Sequence, residues 1–190
     1  MPGYEHPRER IMDIAEHLIM SRGFNRFSYK DISTEMNVKN AAIHYHFPTK
    51  NDLGVAVIRR AQARCRKWNA MTVKQAVSPV AMLDVFFEMF TGYLKSGACV
   101  CLGSALETDF NTFSEEMQTE IRIYAAEMLN WIRNLLARGR QEGVFTFSDS
   151  PEDKAFLILS TIQGALQIAR VSDKSSFYRL VDKIKTELVD

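Results

Sequence analysis

Two stretches of the chain carry the same helix-start chemistry. Ser28-Tyr29-Lys30-Asp31 and Thr49-Lys50-Asn51-Asp52 each set a hydroxyl three residues ahead of a carboxylate. This is the capping-box pattern with Asp in place of Glu, in which side chains satisfy the free N–H groups of a first helical turn. Phe27 and Ile32 flank the first box as a hydrophobic staple. Between the two starts there is room for a short helix over 28–36, a turn at Asn37, which tolerates the left-handed conformation, and a second short helix over 39–46 that Pro48 breaks. The second box opens a long helix over 49–70. Upstream, Ile11, Ile14, Ala15, Leu18 and Ile19 form one face of an amphipathic helix that Gly23 closes. Two short helices on a tight turn, preceded by a third, have the dimensions of a helix-turn-helix.

The remainder reads as helix after helix. Leu83, Phe86, Phe87, Phe90 and Leu94 make one stripe, a brief helix follows over 101–109, and a long one over 114–142 ends at Gly143. Pro151-Glu152-Asp153 starts a helix to Val171, since Pro suits the first turn and acids favour its dipole. A last helix spans 175–188. Val144-Phe145-Thr146-Phe147 alternates briefly but is read as a loop. The expectation is an all-α chain of about nine helices. A three-helix head occupies 1–52 and a helical body 53–190, with the boundary inside a continuous helix.

Net charge is only +1, yet it is unevenly spread. Residues 1–67 hold 12 Lys and Arg against 7 Asp and Glu, whereas residues 68–190 hold 12 against 16. A basic front on an acidic body suits a polyanion-binding head. There is no run of about 20 uncharged apolar residues and no apolar leader at the start, so a cytoplasmic protein without a membrane span is expected. Three cysteines, an odd and low number, argue against a disulfide framework. No Ser/His/acid constellation, phosphate-binding glycine loop or carboxylate pair suggests an enzyme, and His44-x-His46 lacks further ligands at metal spacing. No cofactor is expected.

In a helix-turn-helix the second helix enters the major groove. Its outward side chains here would be Lys39, Asn40, Ala41, Ala42, His44, Tyr45 and His46. Asn pairs with adenine, Lys meets guanine or phosphate, and an Ala methyl touches thymine. Ser28, Tyr29 and Lys50 sit at helix starts suited to phosphate contacts. Over Phe27-Ser28-Tyr29-Lys30-Asp31-Ile32, Asn37-Val38-Lys39 and Ile43-His44-Tyr45-His46-Phe47-Pro48-Thr49-Lys50-Asn51-Asp52-Leu53, the chain resembles the tetracycline-repressor (TetR) family of bacterial transcription regulators. His44 stands where that family usually has Tyr, Asn37 where it commonly has Gly, and Ala41-Ala42 where Gly-Thr or Gly-Ser is common.

The resemblance implies a ligand-binding, dimer-forming body. Phe86, Phe87, Phe90, Tyr93, Tyr124, Met128 and Trp131 are the candidate walls of a pocket for a small apolar effector. Core packing is the competing reading for each of them. The segment from Ala155 to Gln167 is apolar on too much of its surface for one wet face. Phe156, Leu159, Gln163, Leu166, Phe177, Leu180, Val181 and Ile184 are therefore expected at a homodimer interface. Twofold symmetry would then call for a palindromic double-stranded operator. The Gly97–Met117 region is similar to that of the NemR-like, electrophile-sensing subgroup, which implies a sensing role for Cys101, with Cys99 as partner. Cys65 is read as structural. A homodimeric repressor released by a ligand or a thiol-reactive electrophile is the expectation. Control by a partner protein, or activation of transcription, is the alternative.

Overall fold

The computed structural model describes residues 6–75, 77–97 and 100–189. Nine α-helices and two short 3-10 turns account for its regular structure, and no strand occurs among the described residues. They are α1 (Pro7–Arg22), α2 (Tyr29–Met36), α3 (Asn40–His46), α4 (Lys50–Lys74), α5 (Pro79–Lys95), α6 (Leu102–Thr108), α7 (Glu115–Gln141), α8 (Pro151–Val171) and α9 (Ser175–Val189). None is long and apolar enough to cross a membrane.

Helix ends follow the local chemistry. The Asp31 carboxylate accepts from both the backbone N–H (2.7 Å) and the hydroxyl (2.8 Å) of Ser28. These bonds hold its carboxyl below the usual carboxylate range. At the second start the exchange is reciprocal: Thr49 N–H donates to Asp52 at 2.9 Å and Asp52 N–H to the Thr49 hydroxyl at 3.1 Å. Asn37 closes α2 in the left-handed region (φ 55). Ser78 and Ser150 cap α5 and α8, each followed by a proline in the first turn.

The chain divides into two compact units. One comprises Met1–Arg64 with Leu102–Tyr124, the other Cys65–Cys101 with Ala125–Asp190. The first unit is thus larger than a 1–52 head. Its added segment is fastened by specific contacts. Phe24 meets Phe113 edge-on at 5.1 Å, and the Asn25 amide donates to the Thr112 hydroxyl at 3.0 Å. Gly54 lets α4 come so close that a Cβ there would lie 2.9 Å from the Met117 sulfur. Gln62, buried on α4, donates to the backbone carbonyl of Glu120 at 3.1 Å. Within the same unit, Arg60 on α4 reaches Glu9, Asp13 and Glu16 on α1 at 3.2, 2.8 and 2.8 Å.

In the second unit, Phe86, Phe87 and Phe90 of α5, Ile132, Leu135 and Leu136 of α7, Ile158, Ile162 and Leu166 of α8, and Phe177 and Leu188 of α9 form one core. The loop after α7 belongs to it as well. Phe145 is buried against Gly139, and Thr146 N–H donates to the Leu188 carbonyl at 2.8 Å.

Candidate nucleic-acid interface and body site

In the first unit, α3 is anchored by one residue. Ile43 is fully buried, whereas Lys39, Asn40, Ala41, Ala42, His44 and Tyr45 are exposed and His46 is half-buried. A short helix with one apolar anchor presents nearly its whole outer face, and Tyr45 is 84% exposed. Asn40 is oriented from behind, because the Ser33 hydroxyl of α2 donates to its Oδ1. Its amide NH2 is a donor group directed away from that bond. Ser28, Lys30, Asn40, His44 and Thr49 border an open groove of about 460 Å³. The His44 ring packs edge-on against Tyr29 at 4.7 Å, with Nδ1 3.2 Å from the Pro48 carbonyl.

Two residues expected at phosphates are turned inward. Tyr29 is buried, and its hydroxyl donates to the Phe47 carbonyl at 2.8 Å. Burial, with a contribution from the Asp52 carboxylate, pushes its phenol up to about 12. The Lys50 ammonium donates to the Phe24 carbonyl at 2.6 Å and to the Phe27 carbonyl, and lies 4.7 and 4.2 Å from their ring centroids. Burial draws its pKa below the ordinary lysine value, against the pull of Asp31 and Asp109. The charge thus closes the carbonyl ends of the 24–27 turn, a role that spacing could not distinguish from a phosphate contact. Lys50→Ala is accordingly a stability variant. It is expected to cost about 2 kcal/mol and to lower the melting midpoint by about 4–8 °C, as read by circular dichroism. A normal melt would return Lys50 to the surface role.

In the second unit, the expected pocket residues separate into two groups. Phe86, Phe87 and Phe90 are buried core rings, with centroids 5.3 Å (86–87) and 4.9 Å (86–90) apart. The inward stripe of α5 has to cover α7 and α8, and those rings do so. Tyr93, Met128 and Trp131 sit at the margin of this core and keep partial exposure. Tyr124 is buried and belongs to the first unit. Trp68 on α4, which periodicity did not single out amid polar neighbours, packs at 5.1 Å from Trp131. Trp131 also stacks on Phe86 at 5.7 Å with ring planes 26° apart.

Of the cysteines expected to sense electrophiles, Cys101 is buried. Cys101 is 5% exposed within the second core, and its sulfur lies 3.8 Å from the Gln163 amide nitrogen. Its neighbours are core side chains, and a sensing thiol needs access. Cys99 lies outside the described residues. Cys101 is expected to resist alkylation by iodoacetamide in the folded protein and to react after unfolding, as followed by peptide mass spectrometry. Rapid labelling in native buffer would show an accessible thiol.

The expected dimer residues are also redistributed. Leu159, Leu166, Phe177, Val181 and Ile184 are buried inside the subunit's own core, and the half-buried Gln163 turns toward Cys101. Leu180 is half-buried. The reason is that α8 is apolar on two faces and α9 covers one of them. The outer face carries Phe156 (64% exposed), Leu157 (53%), Ile168 (62%) and Val171 (85%), with Gly164 between them. No group of three or more His, Cys, Asp and Glu poised for a metal occurs among the described residues.

Comparison with known proteins agrees with this architecture. The family described as bacterial regulatory proteins, tetR family, matches residues 11–57, the segment that holds the helix-turn-helix. No curated protein matches the chain. Among solved structures, a TetR transcriptional regulator from Legionella pneumophila is 30% identical, with 98% of this chain and 99% of that one covered and a TM-score of 0.86. A TetR-family regulator from Agrobacterium tumefaciens shares 24% identity over 96% and 97% of the two chains, with a TM-score of 0.88. The reduced form of NemR from E. coli shares the fold at 19% identity, over 95% and 96% of the chains, with a TM-score of 0.78. An exposed recognition helix on a helix-turn-helix, and a full-length match at this identity, make the chain a member of the TetR family of DNA-binding transcription regulators.

Proposed function

We propose that the protein is a homodimeric, cytoplasmic repressor that binds a palindromic operator and is released by a small ligand held in its second unit. The observation that carries the DNA-binding part is the outer face of α3. It bears five exposed residues over a single buried anchor, with the exposed Lys39 at its start and Asn40 pre-oriented by Ser33. Lys39, Asn40, His44 and Tyr45 supply the groups that base edges and phosphates accept. Support for the dimer comes from the outer face of α8, an unpaired apolar stripe at helical spacing. A second copy of the chain presenting the same face would cover it, and the pairing would set two recognition helices on successive major grooves.

Control follows from topology. Both α4 and α7 run through the boundary of the two units, at Arg64–Cys65 and Tyr124–Ala125. A ligand that binds one arrangement of the second unit better than another shifts the population of both. The displaced ends of these helices would then change the spacing of the recognition helices.

The test is a mobility shift on operator DNA, obtained by unbiased selection if the fragment upstream of the gene does not bind. Tyr45→Ala and Lys39→Ala are each expected to weaken binding about tenfold. Where the lost contact is a phosphate, the salt slope should fall by about one. Unchanged affinity in both variants, with normal folding, would sink the docking proposed here.

A further inference from the structure

We propose that the second unit recognises a neutral aromatic effector carrying a hydrogen-bond donor beside an acceptor, through Glu127 and Trp131 of α7. This deepens the ligand-controlled reading above and rests on it. Two buried polar atoms in this region lack a partner: the indole nitrogen Nε1 of Trp131 and the carboxylate oxygen Oε2 of Glu127. The indole N–H only donates, and an ionised carboxylate only accepts. Each loses free energy while buried without a partner.

Position makes them a pair. They lie one helical turn apart, so their side chains share a face of α7 with Cβ atoms about 5–6 Å apart. Helical side chains lean toward the N-terminus, which carries the Trp131 indole over the turn that bears Glu127. Both side chains keep partial exposure although these two atoms have none. The polar atoms therefore face inward, while other parts of both side chains reach the surface.

Arg66 determines the charge of the ligand. Its Nε donates to Glu127 Oε1 at 2.9 Å and its Nη2 donates to the same oxygen. A guanidinium fork ordinarily engages both carboxylate oxygens. Here Oε1 takes both bonds, which neutralises the carboxylate and leaves Oε2 as an acceptor without a cation of its own. A cationic ligand would meet the guanidinium, so a neutral hydroxyl or N–H suits Oε2 better. The walls are rings: Trp131 is stacked on Phe86, and Trp68 is tilted against it. Ring faces and edges of this kind favour an aromatic ligand over an aliphatic one. A hydrocarbon would leave both polar atoms unsatisfied.

The chain has only two tryptophans, and both stand in this wall, so intrinsic fluorescence reads the site directly. The probes are catechol, 2-methoxyphenol, 1,2-dimethoxybenzene and toluene, a series that removes the donors and then the acceptors at nearly constant ring size. Binding is followed by tryptophan emission and by calorimetry on the full chain. Catechol and 2-methoxyphenol are expected to bind at least about tenfold more tightly than 1,2-dimethoxybenzene, and toluene more weakly still. Trp131→Phe keeps an aromatic ring, a smaller one, and removes the donor. It should cost catechol about tenfold by calorimetry, with the melting curve as the check on folding.

Equal binding of all four probes, binding by none of them, or an unchanged catechol affinity in folded Trp131→Phe would each overturn the proposal. A mobility shift separates it from the reading it rests on. Catechol binding that depends on Trp131 but leaves the operator complex intact supports the site and counts against ligand release. Catechol-driven release that persists unchanged in Trp131→Phe overturns the site and leaves ligand release standing.

Discussion

Gly139→Ala is expected to lower the thermal unfolding midpoint by about 6–12 °C, on the basis of roughly 3 kcal/mol of overpacking. A Cβ at this position would lie 2.0 and 2.3 Å from two carbons of the Phe145 ring. The ring is 1% exposed and cannot swing aside into solvent. The loop that carries it is also held, because Val144 and Phe145 N–H both bond the Gly139 carbonyl, at 2.9 and 3.1 Å. The added methyl therefore pushes either the ring or the loop out of the core. The paired control is Gly92→Ala. That glycine lies inside α5 with nothing within 4 Å of a built Cβ. There the substitution removes backbone freedom from the unfolded chain without a clash and should stabilise by about 0.5–1 kcal/mol. Melts followed by far-ultraviolet circular dichroism compare the two. Similar midpoints for both variants would remove the argument from close packing at Gly139.

The second large effect concerns assembly. In the dimer proposed above, Ile168→Glu should leave the subunit folded, since Ile168 is already 62% exposed, and should shift the equilibrium toward monomer. A carboxylate buried without a partner in an apolar interface costs about 3 kcal/mol or more. That is roughly a hundredfold in the dimer dissociation constant, and twice over because the twofold axis brings the substitution in from both subunits. Sedimentation velocity across a concentration series reads the shift. Operator affinity should fall with it, while binding to an isolated half-site keeps its weaker value. A variant that remains a full dimer would move the interface elsewhere on the surface.

Local features were legible in the sequence because their physics is local. The two capping boxes, the left-handed Asn37 and the prolines at the starts of α5 and α8 act within a few residues, and the helices lie within a few residues of their expected limits. The exposed face of α3 was legible for the same reason: one buried position in a short helix leaves the rest outside. What periodicity could not reveal is the partner of an apolar face. On α8 the stripe through Leu159 and Leu166 and the stripe through Leu157 and Ile168 look alike in sequence, yet one meets the subunit's own core and the other is exposed. Lys50 and Tyr29 illustrate the same limit for polar groups. Their acceptors, the carbonyls of Phe24, Phe27 and Phe47, are backbone atoms brought near by the fold and carry no signature in the residue types. Glu127 and Trp131 were one turn apart on paper, but their unpaired atoms become visible only with Arg66 in place.

The interleaving of the first unit bears on how this regulator can be dissected or recombined. Its compact body takes in Leu102–Tyr124 as well as the N-terminal segment. Phe24 and Gly54 are packed against Phe113 and Met117 of that later segment. A fragment cut after Arg64 would expose these surfaces to water, and a chimera joined there would give the incoming DNA-binding half a foreign cradle. Exchange of specificities between relatives would have to carry both segments together. The head is thus not portable as a contiguous cassette, and mutations at Phe113 or Met117 are inherited, in effect, as part of the DNA-binding half.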